Sequence, residues 1–292
     1  MFLVGPTGVG KSALALELAA RLDAEIVGAD AFQVYAGLPV LTAQPSAADR
    51  ARVPHHLIGE IPVEESFDAY RYAKLATSAL ADIHARGKCA LMVGGTGLYV
   101  RALTLGFDDV PPANSALRAE LAAMDLSDLV RRLEKADPHA PTLVDIKNRR
   151  RVERAIEICE LSGRPLAEFR SSRKVEACGL LLVREREELR DRIARNVRAM
   201  LEGGAIEEVR MTQDLAGPTA RRAIGWSEIS AMLRGELTRR ECEEAIVTAT
   251  RKYAKRQLTW FRNQTTFPSL DLSDTQDSLH ALESALRALR LS

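Results

Sequence analysis

Gly5-Pro6-Thr7-Gly8-Val9-Gly10-Lys11-Ser12 carries the spacing G-x-x-x-x-G-K-S between an apolar run, Phe2 to Val4, and a stretch rich in Ala and Leu. That strand-to-helix setting is what a phosphate cradle requires. Glycines let successive backbone N–H groups turn inward on phosphate oxygens, and the N-terminus of the following helix adds partial positive charge. Lys11 would neutralise the oxygens, and the Ser12 hydroxyl would hold Mg²⁺. The pattern predicts a polyphosphate or pyrophosphate site; the plainer reading is a Gly-rich turn that packs a helix on a strand. Asp30 stands just beyond a second apolar run, at the edge where parallel sheets place their ligands, so it is a candidate metal-shell acid or general base. A cap or turn aspartate is its structural alternative. Gly94-Gly95-Thr96-Gly97-Leu98-Tyr99 follows another apolar run at the same edge and reads equally as a second phosphate-facing loop or as a plain strand-to-helix turn.

Two segments concentrate positive charge. Lys147, Arg149, Arg150, Arg151 and Arg154 face one acid, Glu153, and Arg251, Lys252, Lys255, Arg256 and Arg262 face none. On a helix Arg251 with Lys255, and Lys252 with Arg256, are four apart and share a face. Such a face is often simply solvated, but two of them in a chain with 41 basic and 40 acidic residues favour an electrostatic footprint for nucleic acid. The net charge of +1 excludes a wholly basic surface, and 5% aromatic residues disfavour a site built from stacked bases.

The elements that must position these residues follow from hydrophobic patterning. Strands are expected at Phe2 to Val4, Glu25 to Gly28, Leu57 to Ile58, Ala90 to Val93 and Leu180 to Val183, alternating with helices at Ser12 to Leu22, Asp68 to Arg86 (closed by Gly87) and after Gly97. This alternation is that of a parallel sheet covered by helices. From Ser115 to Arg173 the texture is helical without a strand candidate, after a turn-rich boundary at Val110-Pro111-Pro112-Ala113-Asn114. The expected organisation is an α/β core over residues 1–111 and 176–292, interrupted by a helical insertion over 112–175. After Arg186 the chain is expected to be helical, broken at Gly203-Gly204, Gly217-Pro218 and Gly225, with a last strand or turn and a helix after Pro268.

Composition narrows the class further. At 292 residues, 46% hydrophobic and 28% charged, the chain is an ordinary globular protein longer than one average domain. No apolar run approaches the roughly 18 residues of a membrane span. Cys89, Cys159, Cys178 and Cys242 are scattered without metal-ligand spacing, and are expected as reduced core thiols. Met1 to Val4 runs at once into Gly5, which leaves no room for a signal peptide and suggests a cytoplasmic protein.

Taken in order, these segments resemble the bacterial-type tRNA dimethylallyltransferases, also called isopentenyl-diphosphate:tRNA transferases. The resemblance is carried by GPTGVGKS at 5–12; D-x-x-Q-V-Y at 30–35 with Thr42-Ala43 and Pro45; Pro54-His55-His56-Leu57; VGGTGLY at 93–99; and Arg151-Val152-Glu153-Arg154-Ala155-Ile156-Glu157 with Ser162-Gly163. It continues through Glu208-Val209, Ala223-Ile224-Gly225 and Thr250-Arg251-Lys252-Tyr253-Ala254-Lys255-Arg256-Gln257 with Thr259-Trp260-Phe261-Arg262. GGTGLY and TRxYAKRQxTWFR at these distances discriminate far better than the octapeptide, which kinases and NTPases share.

The resemblance implies a P-loop NTPase-like parallel core with a helical insertion and a helical C-terminal region. It implies transfer of a dimethylallyl group from dimethylallyl diphosphate to N6 of the adenine just 3′ of the tRNA anticodon, with Mg²⁺ as cofactor; a monomer is the expected form, since a core and an insertion can grip such an RNA without a second copy. Asp30 is then the candidate base, Lys11, Thr96 and Arg222 act on the leaving diphosphate, and residues 5–12 cradle it. Asp30, Ala31, Phe32, Gln33, Thr96, Arg118, Arg149, Arg150, Arg151, Arg251, Lys252, Lys255 and Arg256 would contact the tRNA anticodon stem-loop, whose target adenine must be extruded to be reached. The chain departs from the family pattern at Ala31 (usually Ser), Ala36 (Lys or Arg), Leu41 (Gly), Gln44 (Lys), Lys147-Asn148 (Asn-Asp) and Trp226 (Tyr). Two other readings fit parts of the sequence: an adenylate isopentenyltransferase with a free nucleotide as acceptor, and a small-molecule kinase with ATP in the loop. A third is a non-catalytic RNA-binding protein that keeps a decayed P-loop, for which only Ala31 and Gln44 speak. Only a tRNA acceptor makes use of both the insertion and the basic C-terminal segment.

Overall fold

Six strands, β1 (Phe2–Val4), β2 (Ala24–Gly28), β3 (His55–His56), β4 (Cys89–Gly94), β5 (Gly179–Val183) and β6 (Ser269–Asp271), form one sheet in the order β3-β2-β4-β1-β5-β6, every pairing parallel. The computed structural model describes residues 1–105, 110–112, 114–169, 177–273 and 278–289. Side chains alternate across the strands as their period of two requires. Phe2, Val4, Val27, Ala90, Met92 and Leu181 enter one core, while Leu3, Ile26, Leu91, Val93, Leu180 and Leu182 enter the other. Both faces are therefore covered, which is why these strands are continuous apolar runs.

The helices are α1 (Lys11–Arg21), α2 (Ala47–Arg52), α3 (Ala69–Ala85), α4 (Gly97–Leu105), α5 (Ser115–Ala122), α6 (Leu126–Ala136), α7 (Ala140–Leu143), α8 (Arg149–Ser162), α9 (Arg186–Glu202), α10 (Ala205–Thr212), α11 (Trp226–Leu233), α12 (Arg239–Gln264) and α13 (Ser278–Ala288). Leu14 and Leu18 of α1 and Ala281 and Ala285 of α13 fill one core. Tyr72 and Ile83 of α3, Tyr99 of α4, Val197 of α9, Ile229 of α11 and Ile246 and Phe261 of α12 fill the other. Thus β1 leads to a helix on one face and its neighbour β4 to a helix on the opposite face. Such a reversal opens a crevice at the carboxyl ends of the two strands.

Local chemistry sets the ends of the elements. Ser46 and Thr238 close capping boxes with Asp49 and Glu241 at the starts of α2 and α12. Gly87 takes φ 72° after α3, as expected of a glycine that ends a helix. Gly204 and Gly225 start α10 and α11, so the glycines expected as breaks do divide the C-terminal helices. The strand expected at Leu57 to Ile58 lies two residues earlier. Ile26 and Val27 pair with His55 and His56, and Leu57 leaves the strand at φ 60° with its N–H donated to Glu60 Oε1 at 2.6 Å. Leu57 and Ile58 are buried as core rather than strand. Cysteine is a second correction: Cys159 and Cys242 are buried, but Cys89 and Cys178 are exposed at the start of β4 and just before β5, where strand ends meet solvent.

The chain divides into two compact units, Leu105–Lys174 and the remainder. The expected boundary at residues 175–176 lies outside the described residues. Within the smaller unit α5 to α8 bury Leu121, Leu129, Leu133, Val152 and Ile156. Glu157, 1% exposed, holds Arg118 at 2.7 Å and Arg154 at 3.2 Å. Among the described residues no helix is long and apolar enough to cross a membrane.

In the larger unit Glu25 is 4% exposed and accepts from His56 Nε2 at 2.6 Å and Arg86 Nη2 at 2.7 Å. Burial alone would raise its pKa, but these two partners together hold it below the usual carboxylate value. Glu25→Ala should destabilise the protein by about 1–3 kcal/mol at pH 7. Because the folded pKa is depressed, that contribution is complete above the ordinary carboxylate range and is lost as pH falls through the lowered value. Urea unfolding of both proteins at pH 7 and pH 3.5 should show the difference narrowing at the lower pH.

Candidate active site

Between β1 and α1 the eight residues 5–12 form the cradle anticipated from their spacing. Gly8 and Gly10 take φ 80° and 113°, backbone that a side chain strains, and Gly10 starts α1 with no side-chain cap. The N–H groups of the first helical turn thus remain for an anion. Lys11 folds back so that Nζ donates to the carbonyls of Gly5 and Pro6, both at 2.9 Å. Burial pushes the Lys11 pKa down to about 8, partly opposed by the nearby Asp30 charge. Ser12 is exposed on the same turn.

Three hydrogen bonds fix the turn that carries Asp30. Ala29 donates its N–H to Val93 O at 2.8 Å, Thr96 donates its N–H to Ala29 O at 3.1 Å, and Ala31 donates its N–H to Thr96 Oγ1 at 3.0 Å. The turn after β2 is therefore laced to the loop after β4, and Asp30 Oδ1 accepts from Phe32 N at 3.0 Å. The packing explains the glycines. A Cβ on Gly95 would lie 2.1 Å from Gln257 Nε2, and one on Gly97 would lie 2.2 Å from the Trp260 ring, so α12 packs directly on this loop.

A cavity of about 140 Å³ opens beside the cradle, reached by Thr7 and Gly8 at one end and by Asp30 and Tyr253 along its side. Its walls are largely apolar: Phe32, Val40, Leu41, Ile193, Val197, Met200, Ile224 and Ile246. Burial raises the Tyr253 pKa, and the negative charge of Asp30 adds to the rise, so the phenol stays neutral. Glu208 fixes one wall, accepting from Val40 N at 2.7 Å and Leu41 N at 2.8 Å. Burial raises its pKa against those two bonds. Three of the departures from the pattern have a place in the scaffold. Ala31 uses only its N–H, Gln44 bridges Tyr35 O and Arg50, and Trp226 is 4% exposed in the core.

Not every residue singled out from the sequence converges here. Arg222 is exposed on the 3-10 turn Ala220–Arg222; its successors Ala223 and Ile224 line the cavity, but it does not. Two arginines that sequence reasoning passed over lie against the cradle instead. Arg192 Nε donates to Gly8 O at 2.9 Å and Arg184 Nε to Val9 O at 3.2 Å. Burial, reinforced by the Arg184 charge, lowers the Arg192 pKa, so this corner holds concentrated positive charge. Gln257 was also missed as a site residue: its Oε1 accepts from Thr7 N at 2.9 Å and its Nε2 donates to Gly95 O at 3.0 Å.

The basic segments divide in the same way. Arg251, Lys252, Lys255 and Arg256 are all exposed on one face of α12, opposite the buried Ala254, Gln257 and Phe261. In α8, Arg150 and Arg151 are exposed, but Arg149 is held by Glu153 at 2.7 Å and by Leu121 O at 2.8 Å. Arg118 is bound to the buried Glu157 through two nitrogens. Arg118 and Arg149 thus stabilise the smaller unit, whatever else they contact.

A parallel sheet whose central strand runs through a Gly-rich turn into a helix, with a second Gly-rich loop on the neighbouring strand, defines an α/β protein of the P-loop class. Within that class, the chain belongs to the IPP transferase family, whose model matches residues 33–264. It is 43% identical over 284 residues to a tRNA dimethylallyltransferase of Akkermansia muciniphila, covering 97% of this chain and 96% of that relative. It is 45% identical over 268 residues to tRNA dimethylallyltransferase 1 of Citrifermentans bemidjiense, covering 89% and 87%. Among solved structures it resembles the full-length tRNA isopentenylpyrophosphate transferase of Bacillus halodurans, with TM-score 0.72, 36% identity and coverage of 99% and 96%. It also resembles a eukaryotic dimethylallyltransferase acting on tRNA, with TM-score 0.84, 28% identity and coverage of 98% of this chain and 77% of that one.

The lowered pKa of Lys11 has a measurable consequence. An anion in the cradle favours the charged amine, so affinity should fall as pH rises above about 8, where free Lys11 loses its proton. Calorimetric titration with inorganic pyrophosphate at pH 7 and pH 9.5 should show weaker binding at pH 9.5, and Lys11→Met should remove most of the difference.

Proposed function

We propose that this protein transfers the dimethylallyl group of dimethylallyl diphosphate to N6 of the adenine 3′-adjacent to the anticodon in tRNA, releasing diphosphate. The observation that carries this reading is the cavity itself, where a phosphate-binding turn, a carboxylate and an apolar wall meet. A diphosphate on the cradle would set its hydrocarbon against Val40, Leu41, Ile193, Val197 and Ile224. A kinase needs no such apolar wall beside its phosphates. The names of the relatives and the basic face of α12 favour tRNA over a free nucleotide as acceptor.

In the proposed reaction the bond between C1 of the allyl group and the diphosphate oxygen breaks while N6 of the adenine bonds to C1. Charge grows on the departing diphosphate, and Lys11, Arg192 and the N–H groups at the start of α1 stabilise it. Thr96, tied to Ala31, and Arg222, on the turn beside Ala223, are further candidates to contact the diphosphate. The adenine amine is a weak nucleophile because its lone pair is delocalised, and Asp30 accepts the N6 proton as the new bond forms. Ala31, Phe32 and Gln33, on the turn beside Asp30, would face the extruded base, whose unstacking costs a few kcal/mol. Ser12 fits Mg²⁺, an ion that takes one or two protein oxygens and completes its shell with phosphate oxygens and water. Among the described residues no cluster of three His, Cys, Asp or Glu side chains offers an all-protein alternative. Bound there, Mg²⁺ would neutralise part of the diphosphate charge.

Arg251, Lys252, Lys255 and Arg256 would follow the tRNA backbone, and Arg150 and Arg151 are the exposed candidates in the insertion. A cytoplasmic monomer is the working form proposed with this reading.

Incubating the protein with labelled dimethylallyl diphosphate, Mg²⁺ and either unmodified tRNA or AMP tests the reading. Label should appear on tRNA; label on AMP alone would overturn the choice of acceptor, and phosphoryl transfer from ATP without prenylation would overturn the reaction class. Asp30→Asn should lower the rate of transfer by about 10²–10⁴-fold while tRNA affinity stays within a few fold. Lys252→Ala with Arg256→Ala should weaken tRNA binding and reduce the slope of log K against log salt by about 1 for each phosphate no longer neutralised.

A further inference from the structure

Gln257 joins three segments that lie far apart in sequence. It sits on the inner side of α12 and is 5% exposed. Its side-chain oxygen accepts from Thr7 N at 2.9 Å, and its side-chain nitrogen donates to Gly95 O at 3.0 Å. The first bond fixes the peptide of a residue that lines the cavity at the phosphate end. The second fixes the residue before Thr96, whose hydroxyl holds the backbone beside Asp30. Only an amide of this length makes both bonds: an ionised Glu has no donor for Gly95 O, and Met or Leu has neither group. The missing Cβ of Gly95 leaves room for this amide, since a Cβ there would lie 2.1 Å from its nitrogen.

We propose that Gln257 is a positioning residue: a single side-chain amide sets the distance between the diphosphate cradle and the loop that orients the base. This deepens the functional reading above and rests on it. On the opposite side of the same helix lie Arg251, Lys252, Lys255 and Arg256, so the element proposed to bear on the tRNA backbone also spaces the reacting groups.

The test compares wild-type protein with Gln257→Glu and Gln257→Met, measuring KM for dimethylallyl diphosphate, kcat and tRNA Kd between pH 6.5 and pH 9. At pH 9 the ionised Glu leaves Gly95 O unpaired, so KM should rise about tenfold or more over wild type. The ratio should shrink toward 1 as pH falls and the protonated carboxyl regains a donor, while tRNA Kd stays within about twofold. Lys11, Asp30 and Tyr253 face the site in both proteins, so their effects cancel in the ratio. Gln257→Met should show the defect at every pH. A Glu variant with wild-type KM throughout, or a pH-independent loss matched by lost tRNA affinity, would overturn the proposal. Should either variant fail to fold, hydrogen exchange of the wild-type protein decides: the Thr7 amide should be protected well beyond its neighbours, and exchange as fast as an exposed amide would overturn it. Should wild-type protein prenylate no tRNA, the functional reading fails by itself, and pyrophosphate affinity in place of KM, with Thr7 exchange, still tests Gln257.

Discussion

The backbone of the turn after β2 touches the backbone of the loop after β4, and the geometry of the site depends on that contact. Ala29 and Thr96 exchange main-chain hydrogen bonds with the neighbouring segment, and a Cβ on Gly94 would lie 2.1 Å from Ala29 O. No side chain fits there, so the approach is available only to glycine. From this contact follow the placing of Asp30, the bond from Ala31 to the Thr96 hydroxyl, and the way α12 rests on the same loop through Gln257 and Trp260. One close approach thus links the carboxylate, the cradle and the basic helix.

The electrostatics of the crevice follow from its place in the sheet. At the ends of β1 and β4 the covering helices lie on opposite faces, so the cleft is walled by core side chains rather than by solvent. A low-dielectric wall makes each fixed charge count for more. Lys11 feels it as a pKa lowered to about 8, and Tyr253 stays neutral against Asp30. Arg184 and Arg192 crowd together behind the loop with Glu188 as a carboxylate partner. An anion bound in the cradle would relieve that crowding, which is the physical basis for expecting a diphosphate rather than a neutral ligand.

Charge alone does not mark a binding face, as the two basic segments show. Both concentrate basic side chains, yet in α8 Arg149 and Arg154 turn to Glu153 and Glu157, while the four cations of α12 are exposed. The difference is local: α8 carries acids at helical spacing from its arginines, and residues 251 to 262 of α12 carry none.

Much of the fold was legible because it rests on period and punctuation. The apolar runs at 2–4, 90–93 and 180–183, the cradle glycines and the helix-ending Gly87 each announce an element by short-range chemistry. The strand at 55–56 was misplaced because Leu57 and Ile58 are apolar for burial, and no local signal separates a buried turn from a buried strand. Two of the four cysteines were misjudged for a related reason: a strand end is exposed by where the sheet stops. Arg184, Arg192 and Gln257 could not be found as site residues, since each acts on a loop 162 to 250 residues away. By itself the sequence determined that this chain holds a phosphate cradle, a carboxylate at the sheet edge and two basic segments, because spacing and residue type encode local conformation. Which groups converge on one cavity, and which arginines are already spent within the fold, only the tertiary structure decided, because convergence depends on strand order and packing that no window of sequence contains.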